Sequence, residues 1–128
     1  MWQLLLCVFL GSGLGGVTRF LVGEWLGHMS RHDILPQALP LATMAVNIAG
    51  CFIIGLVYGL IDHGYNITPA WRTGITVGFC GGLTTFSTFG RETFVLLQSG
   101  QIAMGLLYTA LSVVIGVAAA WGGFALTR

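Results

Sequence analysis

The sequence predicts an all-α integral membrane protein with four transmembrane helices, the third of them broken near the membrane midplane. Three observations carry that reading. The 128-residue chain is 55% hydrophobic and only 7% charged, with a mean hydropathy of +0.88. Four segments reach the roughly 20 mostly apolar residues that one crossing requires. The third of these holds a Gly-Gly pair followed by two threonines in its interior.

A soluble domain typically carries about 25% Asp, Glu, Lys and Arg. Five arginines and four acidic residues cannot coat a globule, so lipid must solvate most of this surface. The length allows a single domain, 1–128. A net charge of +1 with no lysine leaves no electrostatic footprint for nucleic acid. Cys7, Cys51 and Cys80 lie in apolar stretches and form no CxxC pair, so they read as buried free thiols.

The first span is placed at about 1–25. It lacks the basic start and the A-x-A site of a signal peptide and is read as a helix that stays in the membrane. The second is placed at about 41–61, the third at 69–98 and the fourth at about 102–126. Polar connections separate them: Gly27 to Pro40, Asp62 to Thr68, and the Ser99-Gly100 turn. Thr68-Pro69 is a helix start, with Thr as N-cap and Pro at the first helical position. Small residues recur four apart at Gly11/Gly15, Ser12/Gly16, Gly55/Gly59, Gly74/Gly78 and Ala119/Gly123. Such pairs let helix backbones approach closely in lipid, where no hydrophobic force drives association. Any one pair is also compatible with incidental glycine in a glycine-rich chain.

The third span is the informative one. Gly81-Gly82 favours non-helical backbone, and the segment is longer than one straight crossing needs. Unwound backbone at membrane depth persists only where it is buried in protein or lines a polar cavity. A break here implies a site: free carbonyls suit a cation, and the N-terminus of the second half-helix suits an anion. A simple glycine kink is the plainer alternative. Phe86 and Phe89 are three apart and share a face; the usual reading of that spacing is packing or lipid contact. The hydroxyls of Thr84, Thr85, Ser87 and Thr88 nevertheless make this stretch the most polar part of the span, and aromatic edges are electropositive.

Thr43 and Asn47 lie four apart in the second span, and Tyr108 and Ser112 four apart in the fourth. Polar residues inside spans face the bundle interior or a pathway, or serve as interhelical glue. Arg19 and Glu24 are read as late in span one and Arg91 and Glu92 as late in span three, with no charge at mid-membrane. This disfavours a proton-coupled antiporter. His28, His32 and His63 read as solvated residues in connections or at span ends. If the termini share one side, Arg72 and Arg128 oppose Arg19, Arg31 and Arg91. So even a split gives little orientation bias and permits insertion both ways round.

The stretch Gly78-Phe79-Cys80-Gly81-Gly82-Leu83-Thr84-Thr85-Phe86-Ser87-Thr88-Phe89 resembles the signature of the Fluc (CrcB-type) bacterial fluoride channels. The glycine-rich first span ending in Arg19, Thr43…Asn47, Trp71-Arg72 and Tyr108…Ser112 agree in order and spacing, so the likeness covers nearly the whole chain. The resemblance implies an antiparallel, dual-topology homodimer in the bacterial inner membrane. It would carry two fluoride pathways and a structural sodium ion at the dimer centre, and would export fluoride passively without being an enzyme. It also implies residue roles. Phe86 and Phe89 would line the pathway with Asn47, Thr43, Ser87, Thr88, Tyr108 and Ser112. Arg19 and Glu92 would face the vestibule, and the backbone carbonyls of Gly81 and Thr84 would hold sodium. Gly90 departs from the family's common Ser. A small drug-efflux transporter is the competing class, disfavoured because span one has no carboxylate at mid-membrane; a non-transporting anchor subunit does not explain the polar break.

Overall fold

A computed structural model describes residues 1–31 and 39–128. His32 and most of the connection before Pro40 lie outside the described residues. Among the described residues every regular element is helical: α1 (Trp2–Arg31), α2 (Leu41–Asp62), α3 (Pro69–Thr73), a π-helix (Gly74–Cys80), α4 (Gly81–Leu83), α5 (Phe86–Gln98) and α6 (Ile102–Thr127). Three of these, α1, α2 and α6, are long and apolar enough to cross a membrane. The first helix exceeds its expected end at Trp25 and continues to Arg31, which takes His28 into the helix.

Two parallel helix pairs make the body. In the first, α2 lies along α6, and glycines set the distance. A Cβ on Gly55 would collide with the Ala120 carbonyl, one on Gly59 with Thr127 and Phe124, and one on Gly123 with the Phe52 carbonyl. Thr127 ties the far end by donating to the Leu56 carbonyl at 2.8 Å. In the second pair, α1 runs beside residues 69–83. Gly11 meets Gly74, Gly78 and Phe79, and Gly15 meets Phe79 and Leu83, while Gly82 meets Ser12 in return. All five small-residue pairs therefore take part in a close backbone approach, Ser12 and Gly16 as the surface that Gly82 meets. Gly16 differs, because its own Cβ position is open.

The start of the third segment forms as its residues dictate. Thr68 is extended at φ −61°, ψ 150°, and its hydroxyl accepts from the Trp71 amide at 3.4 Å, with Pro69 following. Seven residues then wind as a π-helix.

The break does not fall on the glycine pair. Gly81 is helical at φ −63°, ψ −37°, whereas Thr84 and Thr85 are extended, at φ −83°, ψ 155° and φ −147°, ψ 123°. The reason is a division of labour. Gly82 is small because the α1 backbone passes over it, and helical geometry satisfies it there. The β-branched threonines favour extended backbone, and partners outside the helix ladder wait for them.

Outward-facing side chains remain strongly apolar. Phe9, Leu14, Phe20, Val114, Val117 and Trp121 are all exposed, as lipid or another chain would require.

Candidate ion pathway

The extended dipeptide is held from four directions. Asn47 of α2 takes both backbone groups of Thr85: its Nδ2 donates to the Thr85 carbonyl at 3.1 Å, and the Thr85 amide donates to its Oδ1 at 2.7 Å. Thr85 then caps α5, its hydroxyl oxygen accepting from the Thr88 amide at 3.2 Å. It also donates to Thr88 Oγ1 at 3.1 Å and lies 3.4 Å from Ser87 Oγ. Thr84 turns back onto its own helix, its hydroxyl donating to the Cys80 carbonyl at 2.8 Å. From α1, Arg19 Nη1 donates to the Thr84 carbonyl at 3.3 Å.

These bonds take the helix donors away from two carbonyls. In a continuous helix the Thr85 and Thr88 amides would point at the carbonyls of Gly81 and Thr84, four residues earlier. Here those amides go to Asn47 Oδ1 and Thr85 Oγ1 instead. The 69–83 half-helix thus ends in released carbonyls with the negative end of its dipole, and α5 begins beside them with the positive end of its own.

A cavity of about 310 Å³ opens at the break, lined by Asn47, Thr84, Thr85, Phe86, Phe89 and Ser112 among others. The Phe86 and Phe89 rings lie 5.8 Å apart, tilted by 40°. Phe86 is 84% exposed in the single chain and forms the open lip of the cavity. Ser112 Oγ is buried and has no hydrogen-bond partner. A buried, unpaired hydroxyl costs about 1–3 kcal/mol, which marks this atom as a donor in want of an acceptor.

One helical turn further on, the same three helices contribute a second polar layer. Thr43 donates to Glu92 Oε1 at 2.7 Å, and Tyr108 donates to Glu92 Oε2 at 2.7 Å. Tyr108 is fully buried, and its ring stands 5.1 Å from that of Phe89. The layers stack in register: Thr43 below Asn47 on α2, Glu92 beyond Phe89 on α5, Tyr108 beside Ser112 on α6.

Most sequence-predicted positions therefore converge on one column. Ser87 and Thr88 lie on the exposed first turn of α5, bonded to Thr85. Gly81 is exposed, with open space at its Cβ position. The placement of all charges towards span ends needs correction for Arg19, which sits level with the break because the Gly15 contact carries α1 past Leu83. His63 closes α2 and stacks on Tyr65 at 5.7 Å. Sequence reasoning missed Cys51, which lines the cavity; its place one turn beyond Asn47 on α2 was the available signal.

Residues 6–124 match the family described as CrcB-like protein, Camphor Resistance (CrcB). The chain belongs to this family. It is 46% identical over 127 residues to a protein named fluoride-specific ion channel FluC from Escherichia coli O17:K52:H18 (strain UMN026 / ExPEC), covering 99% of this chain and 90% of that one. The protein of the same name from Escherichia coli O139:H28 (strain E24377A / ETEC) gives the same identity and coverage. In this CrcB-family chain the likeness therefore spans every element that builds the column.

Proposed function

We propose that the chain is a fluoride-selective channel that lets cytoplasmic fluoride leave by passive electrodiffusion, lowering its toxicity. The observation that carries the reading is the buried Ser112 hydroxyl without an acceptor, on a wall shared with Phe86, Phe89 and Asn47. An anion supplies the missing acceptor. Fluoride is small and strongly hydrated, so entry requires donors that replace its water. Ser112, the electropositive ring edges and the N-terminus of α5 all present positive character; a narrow pore between two copies would leave larger chloride without room. The second layer continues the polar track, with Thr43 and Tyr108 gathered on Glu92. The relatives named as fluoride channels support the same reading. A channel needs no covalent chemistry, so the chain is not an enzyme.

The segment 69–98 makes the third of four crossings, as two half-helices. The parallel pairing of α1 with residues 69–83 and of α2 with α6 fits four alternating passes, multi-pass in a bacterial inner membrane. Two copies assemble as an antiparallel, dual-topology homodimer, each covering the exposed Phe86 and Gly81 of the other. The nearly even distribution of arginines allows both orientations.

A sodium ion fits the break on donor chemistry, since oxygen ligands suit a hard cation and the Gly81 and Thr84 carbonyls have lost their helix donors. Those carbonyls, from both copies, would hold it. It would supply positive charge at the C-terminal ends of the 69–83 half-helices.

The test is efflux from liposomes loaded with fluoride or chloride, opened with a potassium ionophore and read with ion-selective electrodes. Rapid loss of fluoride with chloride retained supports the reading. Equal loss of both, or retention of both by folded protein, overturns it.

A further inference from the structure

We propose that Arg19 competes with the bound cation for the Thr84 carbonyl, so that its guanidinium sets how tightly the seat at the break holds sodium. The inference rests on the sodium reading above and adds a residue to it. Arg19 Nη1 donates to the same oxygen, at 3.3 Å, that would ligate the ion. The Thr88 amide, which would otherwise fill that carbonyl, is taken by Thr85 Oγ1 at 3.2 Å. A guanidinium remains charged at any physiological pH, and Arg19 is half-buried, where water screens it poorly.

The position is imposed by packing. Gly15 fits against the Phe79 carbonyl and the Leu83 amide, and Arg19 follows one turn later on the same face of α1, which brings it level with Thr84. In the single chain the guanidinium therefore answers the negative end of the 69–83 half-helix. A second cation on that oxygen meets a like charge a few ångströms away. Cation binding then either displaces Arg19 or proceeds against its repulsion, and both routes weaken the seat.

A buttress that merely joins α1 to the break would affect stability at every sodium concentration alike. Competition instead moves the sodium midpoint. The experiment uses the full chain, purified in detergent, with thermal unfolding followed as sodium replaces choline at constant ionic strength. Wild type is compared with Arg19→Gln, Arg19→Met and Arg19→Lys, the two neutral variants guarding against failure of either to fold. The half-saturating sodium concentration is expected to fall by about tenfold or more in the neutral variants, the scale of one nearby unit charge, and to stay near wild type in Arg19→Lys. Neutral variants whose midpoint equals or exceeds that of wild type overturn the competition while leaving the sodium seat standing. If sodium stabilises none of the four proteins, the seat itself fails, and the competition with it.

Discussion

Asn47 and Thr85, 38 positions apart, exchange two hydrogen bonds, and through them one side chain replaces the helix partners of an entire residue. A break in a membrane helix leaves amides and carbonyls that lipid cannot satisfy. The carboxamide, with one donor group and one acceptor, answers both groups of Thr85 at once. Asn47 is therefore a structural bracket for the break as well as part of the cavity wall.

Replacing Asn47 with Ala leaves the Thr85 amide and carbonyl without these partners. Each unsatisfied group costs about 1–3 kcal/mol, so Asn47→Ala is expected to lower stability by about 2–6 kcal/mol and to abolish fluoride efflux. Asn47→Asp keeps the acceptor but loses the donor, and is expected to fall between. Thermal unfolding in detergent checks the order.

Ser112→Ala should separate function from stability in the opposite sense. The hydroxyl bonds to nothing in the chain, so its removal relieves a desolvated donor. Unfolding temperature is expected to hold or rise, while the rate of fluoride efflux falls. Ser112→Thr, which retains the hydroxyl, should conduct better than Ser112→Ala.

Tyr108→Phe strands one Glu92 oxygen inside three packed helices. A loss of about 1–3 kcal/mol is expected, and a comparable loss for Thr43→Val. The two changes share an acceptor and should not add. A double-variant cycle by thermal unfolding measures the coupling.

Gly55 and Gly23 test the packing account with one chemistry. A Cβ at Gly55 strikes the Ala120 backbone, whereas one at Gly23 meets nothing within 4 Å. Gly55→Ala should therefore destabilise by about 1–3 kcal/mol, and Gly23→Ala should be neutral or stabilising by up to about 1 kcal/mol. Unfolding temperatures of the two proteins decide.

The helices and their closest approaches were legible because they depend on local pattern: apolar runs, glycines four apart, and a Thr-Pro start. That the third segment breaks was legible too. Where it breaks was not, since a glycine reads alike whether it frees the backbone or makes room for a neighbour. Gly82 does the latter, and only the passage of Ser12 over it reveals this. The depth of Arg19 was hidden for a similar reason, because only the packing of Gly15 against Phe79 and Leu83 brings the arginine level with Thr84. The columns Thr43–Asn47 and Tyr108–Ser112 could be seen as stripes on separate helices. That Glu92 joins them required knowing that α2, α5 and α6 meet.

The most direct test of the central claim, that fluoride passes the break beside the phenylalanine pair, is efflux through Phe86→Ile. Fluoride-loaded liposomes carrying equal amounts of folded wild type or variant would be opened with a potassium ionophore and read with a fluoride electrode. The account predicts rapid release through wild type and release reduced to the leak of protein-free liposomes through the variant, because isoleucine has bulk but no electropositive edge. Undiminished fluoride release through Phe86→Ile would contradict it and place the pathway elsewhere.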